Sequence, residues 1–143
     1  MSAKAGTDGA GCIFCKIVRG EMPSFKIYED EHTMAFLDIF PATKGHTLVI
    51  PKEHTGNIFE ISSKQWTLVQ ETVRKLASPV EKAMKADGLN LAMNNREHAG
   101  QVVDHAHVHL IPRYKGDGLK LWPHTKYAEG EAAQVAEQIK RGI

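Results

Sequence analysis

The sequence predicts one α+β domain, in which a five-stranded antiparallel sheet carries a long helix packed on one face and a second helix follows near the C-terminus. Five short stretches rich in branched and apolar residues are typical of strands. One longer stretch repeats apolar residues at three- and four-residue steps, which is typical of an amphipathic helix. The 143 residues suffice for one modest core.

The composition limits which binding partners and which cellular compartment we expect for this protein. The 18 basic and 17 acidic residues leave a net charge of +1, so no charge field points to nucleic acid or to an anionic membrane. No apolar run is long enough to span a membrane. Residues 1–11 are small and polar, without the apolar core of a signal peptide. We therefore expect a disordered leader over 1–11, a single domain over 12–143 and a reducing, cytoplasmic environment.

The first half of the domain holds a short helix and three strands. We expect one or two helical turns over Ile13–Arg19. Phe25–Glu29 and Thr33–Leu37 should form a hairpin joined by the turn at Asp30-Glu31. His46–Pro51, which is branched and apolar, is the third strand.

A long helix follows the third strand. Ser62 or Ser63 should cap its start, and Asp87-Gly88 should end it. Pro79 lies inside the pattern and should bend the helix by removing one backbone hydrogen bond. The apolar stripe that we expect to pack on the sheet consists of Trp66, Val69, Val73, Leu76, Val80 and Ala83.

The remaining elements surround a histidine-rich strand. Leu89–Asn94 is the fourth strand, and a polar loop leads from it into the fifth, Gly100–Arg113. Glu129–Arg141 is the terminal helix. Pro112 cannot donate a ladder hydrogen bond, so pairing should weaken there.

Three histidines dominate the fifth strand. His105, His107 and His109 alternate with small or branched apolar residues, so on an extended strand their rings share one face, about 7 Å apart. The face opposite, toward the core, takes Ala106, Val108 and Leu110. Three neighbouring imidazolium charges would repel, so some rings must be neutral at pH 7. A neutral imidazole can be a nucleophile, a proton shuttle or a metal ligand.

The chain has one C-x-x-C motif, Cys12 to Cys15. Such a pair is either a redox couple at a helix start or half of a zinc site. The spacing and the isolated histidines elsewhere favour zinc, which would need two further ligands.

Several motifs together resemble the histidine triad (HIT) proteins. The string GQVVDHAHVH from Gly100 to His109 is similar to the family signature. The resemblance also includes FLDI at Phe36–Ile39 and GHTLVIPKEH at Gly45–His54. It covers roughly Cys12 to Pro123 and is strongest toward small bacterial members of the nucleoside-phosphoramidase branch.

The resemblance implies a metal centre. In zinc-binding members of the family, the histidine of the P-K-x-H string and the first triad histidine complete the ligand set. On this chain the four ligands would be Cys12, Cys15, His54 and His105. Such a closed four-ligand site is structural, because no coordination position is open for chemistry.

The resemblance also implies catalytic roles. His107 would be the nucleophile and form a nucleotidyl-imidazole intermediate that water hydrolyses. We expect one nitrogen of this ring to face the substrate and the other to donate to a backbone carbonyl; a buried ring would argue against the role. His109 would contact the α-phosphate, and His46 would support the triad.

A nucleotide would be held by a second set of residues, again by resemblance. Asp38 would accept hydrogen bonds from both ribose hydroxyls, Asn94 would lie on the ribose and phosphate side, and Gln101 and Val103 would contact the phosphate. The residues expected to wall the base are Ile13, Phe14, Ile17, Met22, Phe36, Ile39 and Leu48. Ordinary core packing explains each of these apolar residues equally well.

The implied function is hydrolysis at the α-phosphorus of a purine nucleotide such as adenosine 5′-phosphoramidate, by a homodimer joined through the long helices and fourth strands.

The sequence departs from the family signature at Val102, where related members commonly have Ser or Thr. Loss of that hydroxyl donor can cost about 2–4 kcal/mol in the transition state. Alternatives are a dinucleoside polyphosphate hydrolase, a nucleotide-binding module with little turnover, and a catalytic zinc enzyme that uses all three triad histidines as ligands.

Overall fold

The computed structural model describes residues 9–143, and it confirms the predicted fold class. Its antiparallel sheet has the strand order β1-β2-β3-β5-β4. The strands are β1 (Lys26–Glu29), β2 (Thr33–Leu37), β3 (Thr47–Pro51), β4 (Gly88–Ala92) and β5 (Val108–Arg113). The helices are α1 (Ile13–Val18), α2 (Ser63–Met84) and α3 (Glu131–Lys140), and a 3-10 turn lies at Glu97–Ala99. Within this range no helix has the length and apolarity needed to cross a bilayer.

The sheet separates two apolar clusters, because successive side chains on a strand point to opposite faces. One cluster lies under α2 and contains Ala35, Val49, Val69, Val73, Leu76, Val80, Val108 and Leu110. The other lies on the α1 side and contains Cys12, Phe14, Cys15, Met34, Phe36, Leu48 and Ile50. His109 pairs with Leu48 across the sheet, so it stands on the α1 side. That face carries the candidate site.

The fifth strand is shorter than the sequence predicts. Residues 101–107 are irregular, so only one triad histidine, His109, lies within β5. The segment leaves the sheet because the Ala106 N–H donates to the Thr55 carbonyl at 2.7 Å. The ring centroids of His107 and His109 are 5.0 Å apart, closer than a strand alone would hold them. The expected face toward the α2 core is confirmed for Val108 and Leu110.

Several boundaries also differ from expectation. The long helix ends at Met84, because Lys85 takes a left-handed conformation (φ 52°), and Gly88 already belongs to β4. Pairing of β5 with β3 ends at Leu110, whereas its pairing with β4 continues past Pro112. The expected weakening at Pro112 therefore holds for one neighbour only.

The described chain includes the last three residues of the predicted leader. Gly9 is buried, and its carbonyl accepts the Cys12 N–H at 3.0 Å. The rest of the expected leader, residues 1–8, lies outside the described residues.

Ser62, not Ser63, caps α2. Its Oγ accepts the Gln65 N–H at 3.1 Å, and the Gln65 side chain accepts the Ser62 N–H in return. We expect Ser62→Ala to lower the free energy of unfolding by about 1 kcal/mol, because the Gln65 N–H at the helix start loses its side-chain acceptor. Urea titration measures it, and Ser63→Ala, one residue into the helix, is the matched control. Equal losses in the two variants would contradict this assignment.

Candidate active site and metal centre

Four predicted ligands converge at the start of α1. The ligand atoms of Cys12, Cys15, His54 and His105 all lie within 4.8 Å of one another. His105 Nδ1 is 3.3 Å from Cys12 Sγ, 3.5 Å from Cys15 Sγ and 3.2 Å from His54 Nδ1. Bond lengths to tetrahedral zinc require sulfur–nitrogen edges of about 3.5 Å and nitrogen–nitrogen edges of about 3.4 Å. The four residues therefore fit a tetrahedral zinc ion.

The orientation of His105 supports this fit. Its Nε2 lies 2.8 Å from the Pro51 carbonyl oxygen, which can only accept, so Nε2 carries the proton. Nδ1 is then an unprotonated lone pair that faces the two thiols, as a metal ligand must be. Burial lowers the pKa of His105 to about 4, which keeps the ring neutral. Both cysteines are buried.

His107 is held by the histidine before it. Its Nδ1 lies 2.6 Å from the His105 carbonyl oxygen, so Nδ1 is the donor and Nε2 keeps its lone pair. Burial lowers the pKa of His107, and the ring is therefore neutral at pH 7. The expected backbone contact to this ring is present.

The enclosure of His107 is tighter than the sequence suggests. The residue is only 6% exposed, since the edge of the Phe14 ring packs against it with centroids 5.2 Å apart. The structure therefore meets the condition that the sequence analysis set against a nucleophilic role for this ring. His107 Nε2 is, however, not among the buried and unpartnered polar atoms of the described residues, so this one atom keeps some exposure.

His46 and His109 contact each other through their ring nitrogens, and their partners fix which nitrogen of each ring carries the proton. The Ala42 N–H donates to His46 Nδ1 at 3.0 Å, so His46 carries its proton on Nε2. That Nε2 lies 2.9 Å from His109 Nδ1, which must accept. His109 therefore carries its own proton on Nε2, and this buried atom has no partner among the described residues. It is a donor ready for an added acceptor.

The pKa values of His46 and His109 are both lowered, which keeps each ring neutral with one proton. Burial, together with the neighbouring rings of His107 and His46, lowers the pKa of His109 to about 4. Burial also lowers the pKa of His46, against the opposing effect of Asp38, whose Oδ2 is 3.7 Å from His46 Nε2. Asp38, His46 and His109 could themselves surround a metal ion, but the hydrogen bonds already account for their arrangement. The only triad histidine in the cysteine cluster is His105, so the structure does not support a zinc site made of all three.

Gln101 does not face a phosphate. Its Oε1 accepts the Arg96 N–H at 2.7 Å, and its Nε2 donates to the carbonyls of Gly56 and Val103 at 2.6 and 3.0 Å. Because both N–H groups are already used, the side chain cannot also donate to a nucleotide. Gln101 instead fixes the loop before the triad, which corrects its predicted side-chain role.

The other predicted nucleotide residues divide into buried and open groups. Asp38 is half-buried and accepts the Phe40 N–H at Oδ1, and Asn94 Nδ2 donates to the Gly100 carbonyl at 3.4 Å. Ile39 is 66% exposed beside them. The residues that belong to the α1-side cluster or pack on it are Phe14, Phe36, Leu48, Ile17 and Val103. Ile13 and Met22 are exposed.

Two supporting groups carry no signal in the sequence. Gly9 has φ +74°, and a Cβ there would lie 2.5 Å from Cys15 Sγ, so only glycine fits against the cysteine cluster. The Ala42 amide sets the tautomer of His46 through its backbone alone. Backbone donors and close approaches of this kind follow from the folded geometry, not from residue type.

Comparison with known proteins agrees with the geometry. A family profile described as HIT domain matches residues 19–116. Protein hit of Bacillus subtilis is 53% identical over 109 residues, 76% of this chain and 75% of that protein. Adenosine 5′-monophosphoramidase HNT1 of Saccharomyces cerevisiae is 46% identical over 125 residues, 86% of this chain and 76% of that protein.

Solved structures match as well. SMU.412c of Streptococcus mutans superposes with a TM-score of 0.90 at 46% identity, covering 99% of this chain and 90% of that one. A zinc-bound histidine triad family protein of Mycobacterium smegmatis superposes with a TM-score of 0.73 at 36% identity, covering 91% and 96%.

Proposed function

This chain belongs to the HIT domain family, and from that premise we propose that it hydrolyses purine nucleotides at the α-phosphorus through a nucleotidyl intermediate on His107. The observation that carries the proposal is the pairing of His107 Nδ1 with the His105 carbonyl at 2.6 Å, which leaves Nε2 as a neutral nucleophile. A relative named adenosine 5′-monophosphoramidase supports adenosine 5′-phosphoramidate as the substrate to test first. Turnover by the wild type and by His107→Ala is the deciding experiment.

The remaining residues take complementary roles in this scheme. The Nε2–H of His109 donates to a non-bridging phosphate oxygen and offsets the charge that grows there. Because the hydrogen bond from His46 fixes the tautomer of His109, the His109 ring does not have to reorient or exchange protons when the reaction occurs. Asp38 binds the ribose hydroxyls, and the apolar cluster around Phe14 meets the base.

We infer a structural zinc ion and a homodimer alongside this activity. Zinc, held by Cys12, Cys15, His54 and His105, would tie α1 to the segment that precedes the nucleophile. For the homodimer, β4 lies at the edge of the sheet, and its Leu91 is 56% exposed. An unpaired edge with an exposed apolar residue favours a second copy as its cover.

The pH profile follows from the neutral rings. The folded-state pKa of His107 lies below the ordinary value of about 6.5, so the neutral nucleophile persists as the pH falls past that value. Protonation of His109, whose pKa is about 4, would place a second proton between it and His46. We expect kcat/KM to stay level from about pH 8 to 6 and to fall only in more acidic buffer. An acidic limb centred near 6.5 would contradict the burial argument.

A further inference from the structure

The loop between β2 and β3 carries a hydroxyl group to which the function above gives no role. This loop runs from Asp38 to His46, and the Asp38 N–H closes its base by donating to the His46 carbonyl at 2.9 Å. Within the loop, the His46 N–H donates to the Thr43 carbonyl at 3.1 Å, and the Phe40 N–H donates to Asp38 Oδ1 at 2.9 Å. Because these bonds form inside the loop, they do not fix where its outer part lies against the sheet.

The hydroxyl of Thr43 ties the outer part of the loop to β5. Thr43 Oγ1 donates to the Pro112 carbonyl at 2.6 Å, and Pro112 is fully buried. Pairing between β3 and β5 ends at Leu110, so this carbonyl lies beyond the last residue that β3 pairs. A buried carbonyl without a donor is costly, so the bond from Thr43 should persist in solution.

The residue before Thr43 supplies the amide that orients His46. The Ala42 N–H donates to His46 Nδ1 at 3.0 Å, which places the ring proton on Nε2. Asp38 Oδ2 favours the same tautomer, but at 3.7 Å from His46 Nε2 it is too distant for a hydrogen bond. Since residues 42 and 43 are adjacent in the chain, a movement of Thr43 away from β5 displaces the amide as well.

Loss of that amide would allow two rings to reverse their protons together. If His46 carried its proton on Nδ1, its Nε2 would be a lone pair facing His109 Nδ1 at 2.9 Å. His109 would then have to place its own proton on Nδ1. Its Nε2, which is buried and has no partner among the described residues, would become a lone pair. A lone pair at this position repels a phosphate oxygen instead of donating to it.

From these contacts we propose that Thr43 is a positioning residue for the reaction. By donating to Pro112, Thr43 holds the Ala42 amide against His46 and thereby keeps a proton on the His109 nitrogen that faces the phosphate. The proposal rests on the function proposed above and adds a residue that acts through His46, not on the substrate itself.

Kinetics of matched threonine variants test the catalytic part. We expect Thr43→Val, which keeps the branched shape without the hydroxyl, to lower kcat for adenosine 5′-phosphoramidate by about 10-fold. KM should stay within about two-fold, because the His109 donor acts on charge that grows in the transition state. Thr43→Ser restores a hydroxyl and should recover most of kcat. Thr72→Val, which removes a buried hydroxyl that bonds Thr33 at 2.7 Å, should change neither constant by more than about two-fold.

Nitrogen-15 NMR of the substrate-free protein, labelled at histidine, gives a second measurement that does not depend on activity. It distinguishes a ring N–H from a ring lone pair, and spectra of His46→Gln and His109→Gln assign the signals. The wild type and Thr72→Val should carry the proton on Nε2 in both rings. Thr43→Val should move both rings toward the Nδ1 tautomer together, because a donor must face an acceptor between them.

The outcomes separate this inference from the function that it rests on. Unfolding midpoints report whether each variant folds, and Thr43→Ala replaces Thr43→Val if the valine variant does not. Wild-type tautomers or a wild-type kcat in the folded variant would overturn the role of Thr43 and leave the proposed function standing. An equal loss of kcat in Thr72→Val would overturn it as well. If the wild type does not hydrolyse the phosphoramidate, the proposed function fails and the positioning role fails with it, whatever the tautomers are.

Discussion

Replacing His107 by alanine is expected to reduce kcat/KM for adenosine 5′-phosphoramidate by about 10⁴-fold or more. Without the nucleophile the covalent intermediate cannot form, so the two-step reaction is lost. His109 and Asp38 cannot replace His107, because their proposed contacts are to the phosphate oxygen and the ribose rather than to phosphorus. Steady-state rates measure the loss. Mass spectrometry of acid-quenched wild-type protein should show a nucleotidyl mass on the peptide that contains His107, and the variant should show none.

Two kinds of control make this result specific. His98→Ala and His124→Ala remove exposed histidines and should leave the rate within about two-fold of the wild type. The His107→Ala protein should keep its metal, since His107 is not in the cysteine cluster, and a midpoint measurement checks that the buried site still folds. Equal rates for wild type and variant would eliminate the nucleotidyl-histidine mechanism. Loss of the metal in the variant would contradict the assignment of His105, rather than His107, as the ligand.

Residue type and spacing were sufficient to predict the parts of this molecule that local chemistry decides. The stripe of α2 has helical period, and its residues from Val69 to Val80 pack under the sheet as predicted. Branched residues at 47–51 form β3, and serine at position 62 caps α2 because its side chain reaches a helix-end donor. The cysteine pair and two distant histidines meet at one point, as the family pattern implies.

Long-range hydrogen bonds decided the rest. Period alone extends β5 back to Gly100, but the amide of Ala106 finds its partner at Thr55, fifty-one residues earlier, and the strand starts at Val108. His107 is buried because Phe14 of α1 packs against it. The Gln101 side chain forms its hydrogen bonds with three backbone groups, so it has no N–H left for a ligand. Apart from the Val103 carbonyl, these partners lie outside residues 100–109, so the order of residues in that stretch does not encode them.

Metal removal should have the largest effect on stability. Cys12 and Cys15 at the start of α1 meet His54 and His105, so a metal bound by all four would join α1 to the rest of the domain. The backbone carbonyl of His105 also orients His107. A site occupied a thousand-fold above its dissociation constant contributes about 4 kcal/mol to the free energy of unfolding. In a domain of this size we expect a chelator to lower the unfolding midpoint by roughly 10–15 °C. Calorimetry with and without chelator measures this shift.

The ligand set is tested by a pair of histidine variants. His54→Ala should bind no stoichiometric zinc and unfold at the midpoint of the chelated wild type, because three remaining ligands leave the tetrahedron open. His32→Ala, an exposed histidine at the hairpin turn, should keep one zinc per chain and the wild-type midpoint. A redox pair predicts a different result: the wild type would carry no zinc, weigh about 2 Da less when oxidised and change its midpoint with a thiol reductant. That outcome would remove the metal centre and leave His105 oriented by the Pro51 carbonyl alone.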